Sequence, residues 1–310
     1  MRILFILCLT YNIVISQNET NNPLDIPIIL SGTYGELRTN HFHSGIDIKT
    51  KGIEGLNVYS YDNGYVSRIK ISHGGYGKAI YIKHLNGSTS VYAHLKKFSK
   101  KIEKIVKAKQ YERMSYEIEF FPKENEIPIT KNEIIAFSGN TGGTTGPHLH
   151  FELRDKNQIP INPLKGTDIS ILDNNPPHIN NLYYKTVYSD KQNEIKIKRI
   201  SSSLYVADTI RIAGKIGFGI VAYDRHDLAR NNNGVSKIET FIDNKNILTI
   251  SFDSISFDQT KHINAFIDYS YFKNNKKRIQ KLFVENYNPL KLYSNNKNNG
   301  YLLIEENKSY

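Results

Sequence analysis

Apolar and polar residues alternate in short runs between about residues 28 and 162, and glycine turns separate the runs. Alternation is clearest over 65–71 and 78–83, while Asn63-Gly64 and Asn86-Gly87 are typical of hairpin turns. A period of two predicts strands with one buried face, and hence a mainly β fold with an antiparallel sheet. The predicted strands are 45–48, 57–60, 64–71, 78–84, 90–94, 133–138 and 148–154.

One segment, residues 99–116, breaks this alternation. It has apolar residues at Ile102, Ile105 and Val106 and is mostly polar and charged elsewhere. This spacing predicts a surface helix inserted between two strands. The helix is either a wall of a substrate groove or a long connection, and nothing in it points to chemistry.

A boundary is predicted at Asn174-Asn175-Pro176-Pro177, because consecutive prolines favour a stiff, extended linker. Strand-like runs continue beyond it, with turns roughly every ten residues, which is typical of a β-sandwich. We therefore expect an immunoglobulin-like β-sandwich after the linker. The predicted strands are 180–188, 194–200, 209–213, 217–224, 236–242 and 246–252, while the Lys- and Asn-rich tail 269–310 gives no clear pattern.

The first sixteen residues have the features of a secretory signal peptide. Arg2 supplies the positive charge, and residues 3–15 form an apolar stretch that is too short for a comfortable membrane span. Cleavage would leave a mature chain that begins at Gln17; an uncleaved anchor is the alternative. We expect export to the periplasm or cell envelope, with no transmembrane helix in the mature chain.

Composition adds two constraints. Cys8 is the only cysteine and lies in the predicted signal, so the mature chain would have no thiol for disulfides, zinc ligation or nucleophilic attack. The formal net charge of +11 indicates either an anionic partner, such as a cell-wall polymer, or an AT-rich coding sequence that raises Lys, Asn, Ile and Tyr together. The basic residues are spread along the chain and form no recognisable nucleic-acid-binding module, so we expect no nucleic-acid partner.

The strongest candidate for chemistry is the run Gly-Pro-His-Leu-His-Phe-Glu at 146–152. On a strand, His148 and His150 point to one face, while Leu149 and Phe151 point to the other and into a core. Such a pair can hold a metal because the rigid strand orients both imidazoles in advance. However, two histidines on one strand face more often have no role in metal binding.

Upstream residues supply the other candidate ligands. His43 and Asp47 flank Gly45, which lets the backbone turn tightly so that both side chains converge on one ion. A catalytic zinc takes three protein ligands and keeps one position for water, which makes His150 the natural third ligand. A single carboxylate leaves the site positive and suits a Lewis acid that lowers the pKa of bound water to about 7.

Two further histidines are candidates for proton transfer. His148 lies on the same face as His150, and His94 lies on the predicted strand 90–94, so they could act as general base and as stabiliser of an oxyanion. The alternative for His94 is an ordinary strand histidine. His41 could compete as a ligand, and His84 could orient one.

The order of these motifs resembles the LytM/lysostaphin-type zinc metallopeptidases, which cut peptide cross-links in peptidoglycan. The motifs are His43-Ser-Gly-Ile-Asp47, the Gly-rich region 63–77, Tyr92-Ala-His94-Leu95 and 138–152 (SGNTGGTTGPHLHFE). The resemblance covers about residues 29–163. It implies one Zn2+ per chain on His43, Asp47 and His150, with His94 and His148 as catalytic residues. It also implies an antiparallel, duplicated-hybrid-motif-like β fold whose groove is floored by the sheet.

Residues 96–131 are longer than the corresponding connection in many family members. Together with the Pro-Pro linker and trailing β-domain, this length resembles secreted members from Bacteroidetes-type bacteria. The predicted organisation is a signal peptide at 1–16, an N-terminal segment at 17–28, a zinc metallopeptidase domain at 29–173, a linker at 174–178 and a β-rich domain at 179–310.

The resulting hypothesis is an exported zinc metalloendopeptidase that acts on the stem peptides and cross-links of peptidoglycan. A divisome or envelope protein is a further expected partner. The main competing hypothesis is a catalytically inactive scaffold that activates another cell-wall hydrolase, as family members that lost ligands do. All five site positions are present here, which favours the enzyme. A wall-binding module with incidental zinc and a protease acting on ordinary proteins are two weaker hypotheses.

Overall fold

A computed structural model describes residues 22–189 and 191–306 of the chain. The predicted signal peptide 1–16, and residues 17–21 of the predicted N-terminal segment, lie outside the described residues. The fold is mainly β with antiparallel sheets, which confirms the fold class predicted from the alternation. None of the helices in the described part is long and apolar enough to cross a membrane.

Residues 30–161 form two antiparallel sheets and one long helix. The elements are β1 Leu30–Gly32, β2 Ile46–Lys49, β3 Asn57–Tyr59, β4 Gly64–Ile71, β5 Lys78–His84, β6 Thr89–Ala93, β7 Lys97–Phe98, α1 Lys100–Arg113, β8 Ile118–Phe120, β9 Pro128–Ile129, β10 Ile134–Phe137, β11 His148–Arg154 and β12 Pro160–Ile161. The larger sheet has the order β1-β2-β11-β6-β5-β4-β8, with β12 beside β11 and β9 beside β4. The smaller sheet has the order β3-β10-β7.

Strands and short helices make up the rest of the described chain. The elements are β13 His178–Thr186, β14 Asn193–Ile195, β15 Ile197–Arg199, β16 Tyr205–Ala207, β17 Gly214–Tyr223, β18 Lys237–Ile242, β19 Lys245–Ser251, α2 Phe257–Thr260, α3 Ile263–Phe266, α4 Tyr269–Asn275, β20 Gln280–Lys281, β21 Tyr293–Ser294 and β22 Leu302–Ile304, with a 3-10 turn at Lys297–Gly300. The sheets are β14-β13-β17-β20 with β22 beside β17, the pair β15-β16, and β18-β19-β21. The immunoglobulin-like arrangement of these strands stays a prediction.

Two sequence predictions fail in this part. The predicted strand 209–213 is wrong. These residues are not buried and form no strand, whereas the preceding residues form the antiparallel pair of β15 and β16. The helices α2 to α4 were not predicted, since each has seven residues or fewer and shows too little of the 3.6-residue period to be read.

Alternation along β11 separates the core from the opposite face of the sheet. Leu149 and Phe151 are fully buried in the main hydrophobic cluster. The intervening residues of β11 lie on the other face, where His148 and His150 share their side with Glu152. The strand that carries the candidate ligands is therefore anchored from behind by tightly packed apolar side chains.

The inserted helix α1 confirms the prediction for residues 99–116. Ile102 and Val106 are buried, and the helix ends at Met114, whose backbone is left-handed with φ 47°. The helix continues from β7 and also packs near β8.

The hydrophobic core runs across the predicted domain boundary. Phe42, just before the first candidate ligand, packs against Phe252 and Phe266 with ring centroids 6.0 Å away in each case. Its N–H donates to the Thr260 carbonyl at 3.2 Å. The C-terminal part is thereby fixed against the loop that precedes β2. The division at 174–178 itself stays a prediction.

Tyr34 provides a test of this connection. Its buried hydroxyl donates to the Pro160 carbonyl and accepts the Ile255 N–H, both at 2.7 Å. Tyr34→Phe removes both hydrogen bonds and leaves the Ile255 N–H and the Pro160 carbonyl with only their mutual 3.2 Å bond, and we expect it to lower the free energy of unfolding in urea by about 1–3 kcal/mol. Tyr111→Phe, at a side chain that is 82% exposed, is the matched control and should stay close to wild type. Equal stability of both variants would contradict the bridging role.

Candidate metal centre

Strand pairing brings the candidate ligands together. β2 and β11 are antiparallel neighbours, and their register places Asp47 directly opposite His150. His43 lies in the segment just before β2. Gly45 allows that segment to approach β11, since a Cβ there would lie 2.4 Å from the Phe151 carbonyl oxygen. Glycine is therefore required by the close approach to β11 and not by the tight turn that was predicted.

Three donor atoms meet at one point. His43 Nε2 lies 3.2 Å from Asp47 Oδ1, His150 Nδ1 lies 2.9 Å from the same oxygen, and the two nitrogens are 3.1 Å apart. Metal–ligand bonds of about 2.0–2.1 Å in a tetrahedron place ligand atoms roughly 3.3 Å apart. The observed spacing fits a small divalent cation such as Zn2+. All three residues are buried.

The hydrogen bonds of each imidazole fix which nitrogen faces the others. His43 Nδ1 lies 2.9 Å from the Thr33 carbonyl oxygen, so that nitrogen carries the proton and Nε2 keeps its lone pair. His150 Nε2 lies 3.0 Å from Glu152 Oε1, so Nε2 carries a proton and the lone pair of Nδ1 is available to a metal. Two lone pairs and a carboxylate oxygen within 3.2 Å repel one another unless a cation or proton lies between them.

Glu152 is the fully buried carboxylate that orients His150. Its Oε1 also accepts hydrogen bonds from Ser44 Oγ at 3.0 Å and from the Tyr76 hydroxyl, while Oε2 accepts from Arg154 Nε at 2.7 Å. Burial raises the pKa of Glu152, but the His150 hydrogen bond and the Arg154 charge outweigh it and hold the pKa at about 2. The carboxylate is therefore ionised and can fix the tautomer of His150.

Arg38 orients the carboxylate ligand. Its Nη2 donates to Asp47 Oδ2 at 2.7 Å, which turns Oδ1 towards the two imidazoles. Burial raises the pKa of Asp47, but the charge of His43 and hydrogen bonds from His150 and His43 hold it well below its usual range. Burial also lowers the pKa of His43, which favours the neutral imidazole that metal ligation requires.

The two candidate catalytic histidines flank this triad. His94 Nδ1 lies 2.8 Å from the Thr141 carbonyl oxygen, and His148 Nδ1 lies 2.9 Å from the Gly146 carbonyl oxygen, so each keeps a free Nε2. Their ring centroids are 4.7 Å apart, and His148 Nε2 lies 3.6 Å from Asp47 Oδ1. Burial and the charge of His150 lower the pKa of His94 to about 4. His94 is therefore neutral near pH 7 and able to accept a proton.

The site opens into a groove of about 1140 Å³. Its walls come from residues 37–44, 75–76 and 143–148, and from Phe257, Thr260 and Arg278 of the C-terminal part. No residue of α1 lines it, so within the described chain the inserted helix is a connection and not a groove wall.

Two weaker sequence candidates are not ligands. His41 is exposed and lies in the groove wall with its Nδ1 at 2.7 Å from Asn40 Oδ1, outside the triad. His84, a candidate to orient a ligand, contacts none of the three. Its ring nitrogens lie 3.0 Å from the Asn63 carbonyl oxygen and 2.8 Å from Ser90 Oγ, because His84 ends β5 away from the site.

Sequence reasoning missed Arg38, Tyr76 and Glu152 as parts of the site. Glu152 could have been found, since it continues the two-residue period of His148 and His150 on the same strand face. Arg38 and Tyr76 gave no such signal, because loops bring them to the site.

A second group of ligand-type side chains lies near the predicted linker. Asp173, Asp224 and His226 place one potential ligand atom each within 4.8 Å of the others. His226 is buried, but Asp173 is exposed and Asp224 is partly so. This group lies outside the groove, so a His226 variant is a control when the zinc content per chain is measured.

Residues 41–111 match the profile of peptidase family M23. The DD-carboxypeptidase/endopeptidase Mpg of Neisseria meningitidis is 34% identical over 128 residues, which are 41% of this chain and 23% of that protein. An uncharacterized metalloprotease of Haemophilus influenzae is 32% identical over 122 residues, which are 39% of this chain and 20% of that protein. The chain thus matches about a quarter or less of these relatives' length. The family match confirms the resemblance predicted from the motifs.

Solved structures that are similar to part of this chain include a zinc-containing peptidase from Vibrio cholerae. It is 24% identical, with 49% of this chain and 40% of that chain covered and a TM-score of 0.36. The catalytic domain of lysostaphin from Staphylococcus simulans is 21% identical, with 44% and 90% covered and a TM-score of 0.33.

The hydrogen bond between Glu152 and His150 can be tested through metal affinity. Glu152→Gln removes the charge that holds the His150 tautomer, and we expect it to weaken zinc binding about 10–100-fold in a chelator competition assay. Glu112→Gln, at an exposed carboxylate on α1, should bind zinc like wild type. Wild-type affinity in Glu152→Gln, with a native circular dichroism spectrum, would contradict the role.

The protonation of the metal-free site gives a second test. Burial lowers the pKa of His150, but hydrogen bonds to Asp47 and Glu152 outweigh it and raise the pKa to about 9. At pH 7 the metal-free site therefore holds this proton, and zinc must displace it, so affinity should rise with pH up to about 9. Calorimetry in buffers of different ionisation enthalpy should show about one proton released per zinc at pH 7. No proton release would contradict this assignment.

Proposed function

We propose that the protein is an exported zinc metalloendopeptidase that hydrolyses the peptide cross-links of peptidoglycan. One observation carries the proposal. His43 Nε2, Asp47 Oδ1 and His150 Nδ1 lie within 3.2 Å of one another. The other polar atom of each side chain contacts the Thr33 carbonyl, Arg38 or Glu152. A catalytic zinc needs such a set of three oriented donors with one side left open.

A zinc ion held there supplies a Lewis acid that polarises the scissile carbonyl and acidifies a water. The protein's own groups handle the protons. His94 and His148 lie side by side, with ring centroids 4.7 Å apart and each Nδ1 next to a backbone carbonyl, so the Nε2 of one can accept a proton and later donate it to the leaving amine. The other, when protonated, stabilises negative charge on the carbonyl oxygen.

Three observations support a peptidoglycan substrate. The family match covers the first ligand motif, and the relative from Neisseria meningitidis is named a DD-carboxypeptidase/endopeptidase. The groove of about 1140 Å³ is large enough for an extended peptide. Loop 143–146, rich in glycine and threonine, lines that groove and offers backbone groups to such a peptide.

Localisation and partners follow from the same proposal. A cell-wall substrate would require export to the periplasm or cell envelope, and the signal features of residues 1–16 support this part of the proposal. A divisome or envelope protein would then direct it to sites of wall growth. The hypothesis of an inactive scaffold is disfavoured, because all five site residues are present and gathered around one point.

Two histidine variants separate metal binding from chemistry. His150→Ala removes a ligand, and we expect it to lose both zinc and the conversion of cross-linked muropeptides to monomers. His148→Ala keeps all three ligands, so it should retain one zinc per chain and lose at least about 100-fold in rate. Zinc by mass spectrometry of the native protein and muropeptide chromatography are the measurements.

His226→Ala is the matched control, because it removes a histidine from the second ligand-type group. It should keep the zinc of the M23 site and full activity. Zinc binding without cleavage of any cross-link by wild type would overturn the enzymatic proposal and favour the scaffold.

A further inference from the structure

The groove that contains the site is strongly basic. Among the described residues that line it, four are cationic, namely Arg38, Lys49, Lys51 and Arg278, and Asp47 is the one carboxylate. Arg38 is paired with Asp47. Lys49, Lys51 and Arg278 have no side-chain hydrogen bond or ion pair within residues 22–189 and 191–306. Three positive charges are therefore free to meet a ligand.

Two of these charges follow the ligand strand. Lys49 ends β2 and pairs in register with His148, so it lies close to the Asp47–His150 pair on the same two strands. Lys51 comes two residues later in a turn with φ 57° and is exposed. Both ammonium groups thus belong to the wall beside the proposed proton-transfer histidine.

The third charge comes from the C-terminal part. Arg278 lies between α4 and β20, and its guanidinium carbon lies 4.6 Å from the centroid of the Phe272 ring. The Asp268 N–H donates to the Ile279 carbonyl at 2.9 Å, which fixes the backbone next to it. Burial raises the pKa of Glu36 and the charge of Arg278 opposes this rise, but the two side chains form no ion pair. The direct partners of Glu36 Oε2 are the Thr33 N–H and Arg38, the latter at 3.7 Å.

Packing holds Arg278 in a fixed relation to the site. The aromatic cluster of Phe42, Phe252 and Phe266 joins the C-terminal part to the loop that carries His43. Phe257 and Thr260 of α2 line the same groove. The C-terminal part is thus a wall of the groove, and Arg278 is the charge that it contributes.

We propose that Lys49, Lys51 and Arg278 bind carboxylates of the substrate, so that the groove selects an acidic peptide and the C-terminal part takes part in that selection. This rests on the proposed function and deepens it. A single exposed ion pair contributes little, but a half-enclosed groove with several unpaired cations attracts anions collectively. Arg278 is also suited to bidentate contact with a carboxylate.

The test uses two synthetic cross-linked stem peptides that differ only in their side carboxylates, which are free in one and converted to carboxamides in the other. Wild type should show a KM about tenfold higher for the amidated peptide, with a similar kcat. Arg278→Gln and the double variant Lys49→Gln/Lys51→Gln should raise the KM of the free-carboxylate peptide and reduce this difference. Equal KM values of wild type for both peptides would overturn the proposal.

Lys107→Gln is the matched control, since Lys107 is exposed on α1 and lies outside the groove. It should discriminate between the two peptides like wild type. Loss of discrimination in this variant as well would show a general charge effect and contradict the assignment to the groove.

A binding measurement separates this proposal from the proposed activity. Anisotropy of a fluorescent acidic stem peptide should show binding to zinc-loaded wild type that weakens with salt and with Arg278→Gln, but not with Lys107→Gln. If neither peptide is cleaved but this pattern is seen, the carboxylate site holds and the endopeptidase proposal fails. If the peptides are cleaved but binding depends neither on salt nor on Arg278, the carboxylate site is contradicted and the endopeptidase proposal stands.

Discussion

The site depends on the hydrogen bonds that the buried Glu152 carboxylate makes with its neighbours. A fully buried charge is tolerated only when its partners are fixed, and here they come from three separate segments of the chain. Ser44 precedes β2, Tyr76 lies in a loop before β5, and His150 and Arg154 belong to β11. Pairing Glu152 therefore gathers the loop before β2, the groove wall and the ligand strand around one point, and it leaves Nδ1 of His150 free to face His43 and Asp47.

Much of this arrangement could be predicted from the sequence, because the strands have clear alternation. The bounds of β4, β5 and β11 match the predicted ones, and the inserted helix lies where its apolar spacing placed it. The spacing of His43 and Asp47 and the two-residue period of His148 and His150 could be read from the sequence, but the convergence of the three ligands depends on the pairing of β2 with β11, which only the family resemblance implied. What could not be predicted depends on long-range packing: Arg38 reaches Asp47 from a loop, and the short helices of the C-terminal part carry too few residues to show a period.

The C-terminal part changes how the groove is understood. Sequence patterns indicated a separate β-rich region after the Pro-Pro linker, with no evident link to the chemistry. In the structure, its aromatic side chains share a core with Phe42, and Phe257, Thr260 and Arg278 line the groove. The excess positive charge of the chain, which composition alone could not assign, includes three unpaired cations in the described part of that groove. In the proposed substrate site, Arg278 comes from a region far in the sequence from the metal ligands, whereas Lys49 and Lys51 closely follow Asp47.

In the proposed metal site, His43 presents Nε2 and His150 presents Nδ1 to the ion, while Glu152 holds the Nε2 proton of His150. Long-range 1H–15N NMR spectra of 15N-histidine protein, recorded before and after zinc addition, test it most directly. Zinc should shift His43 Nε2 and His150 Nδ1, and the Nε2–H of His150 should be retained. Zinc-dependent shifts at Nε2 of His150, or no shift at either residue, would contradict it.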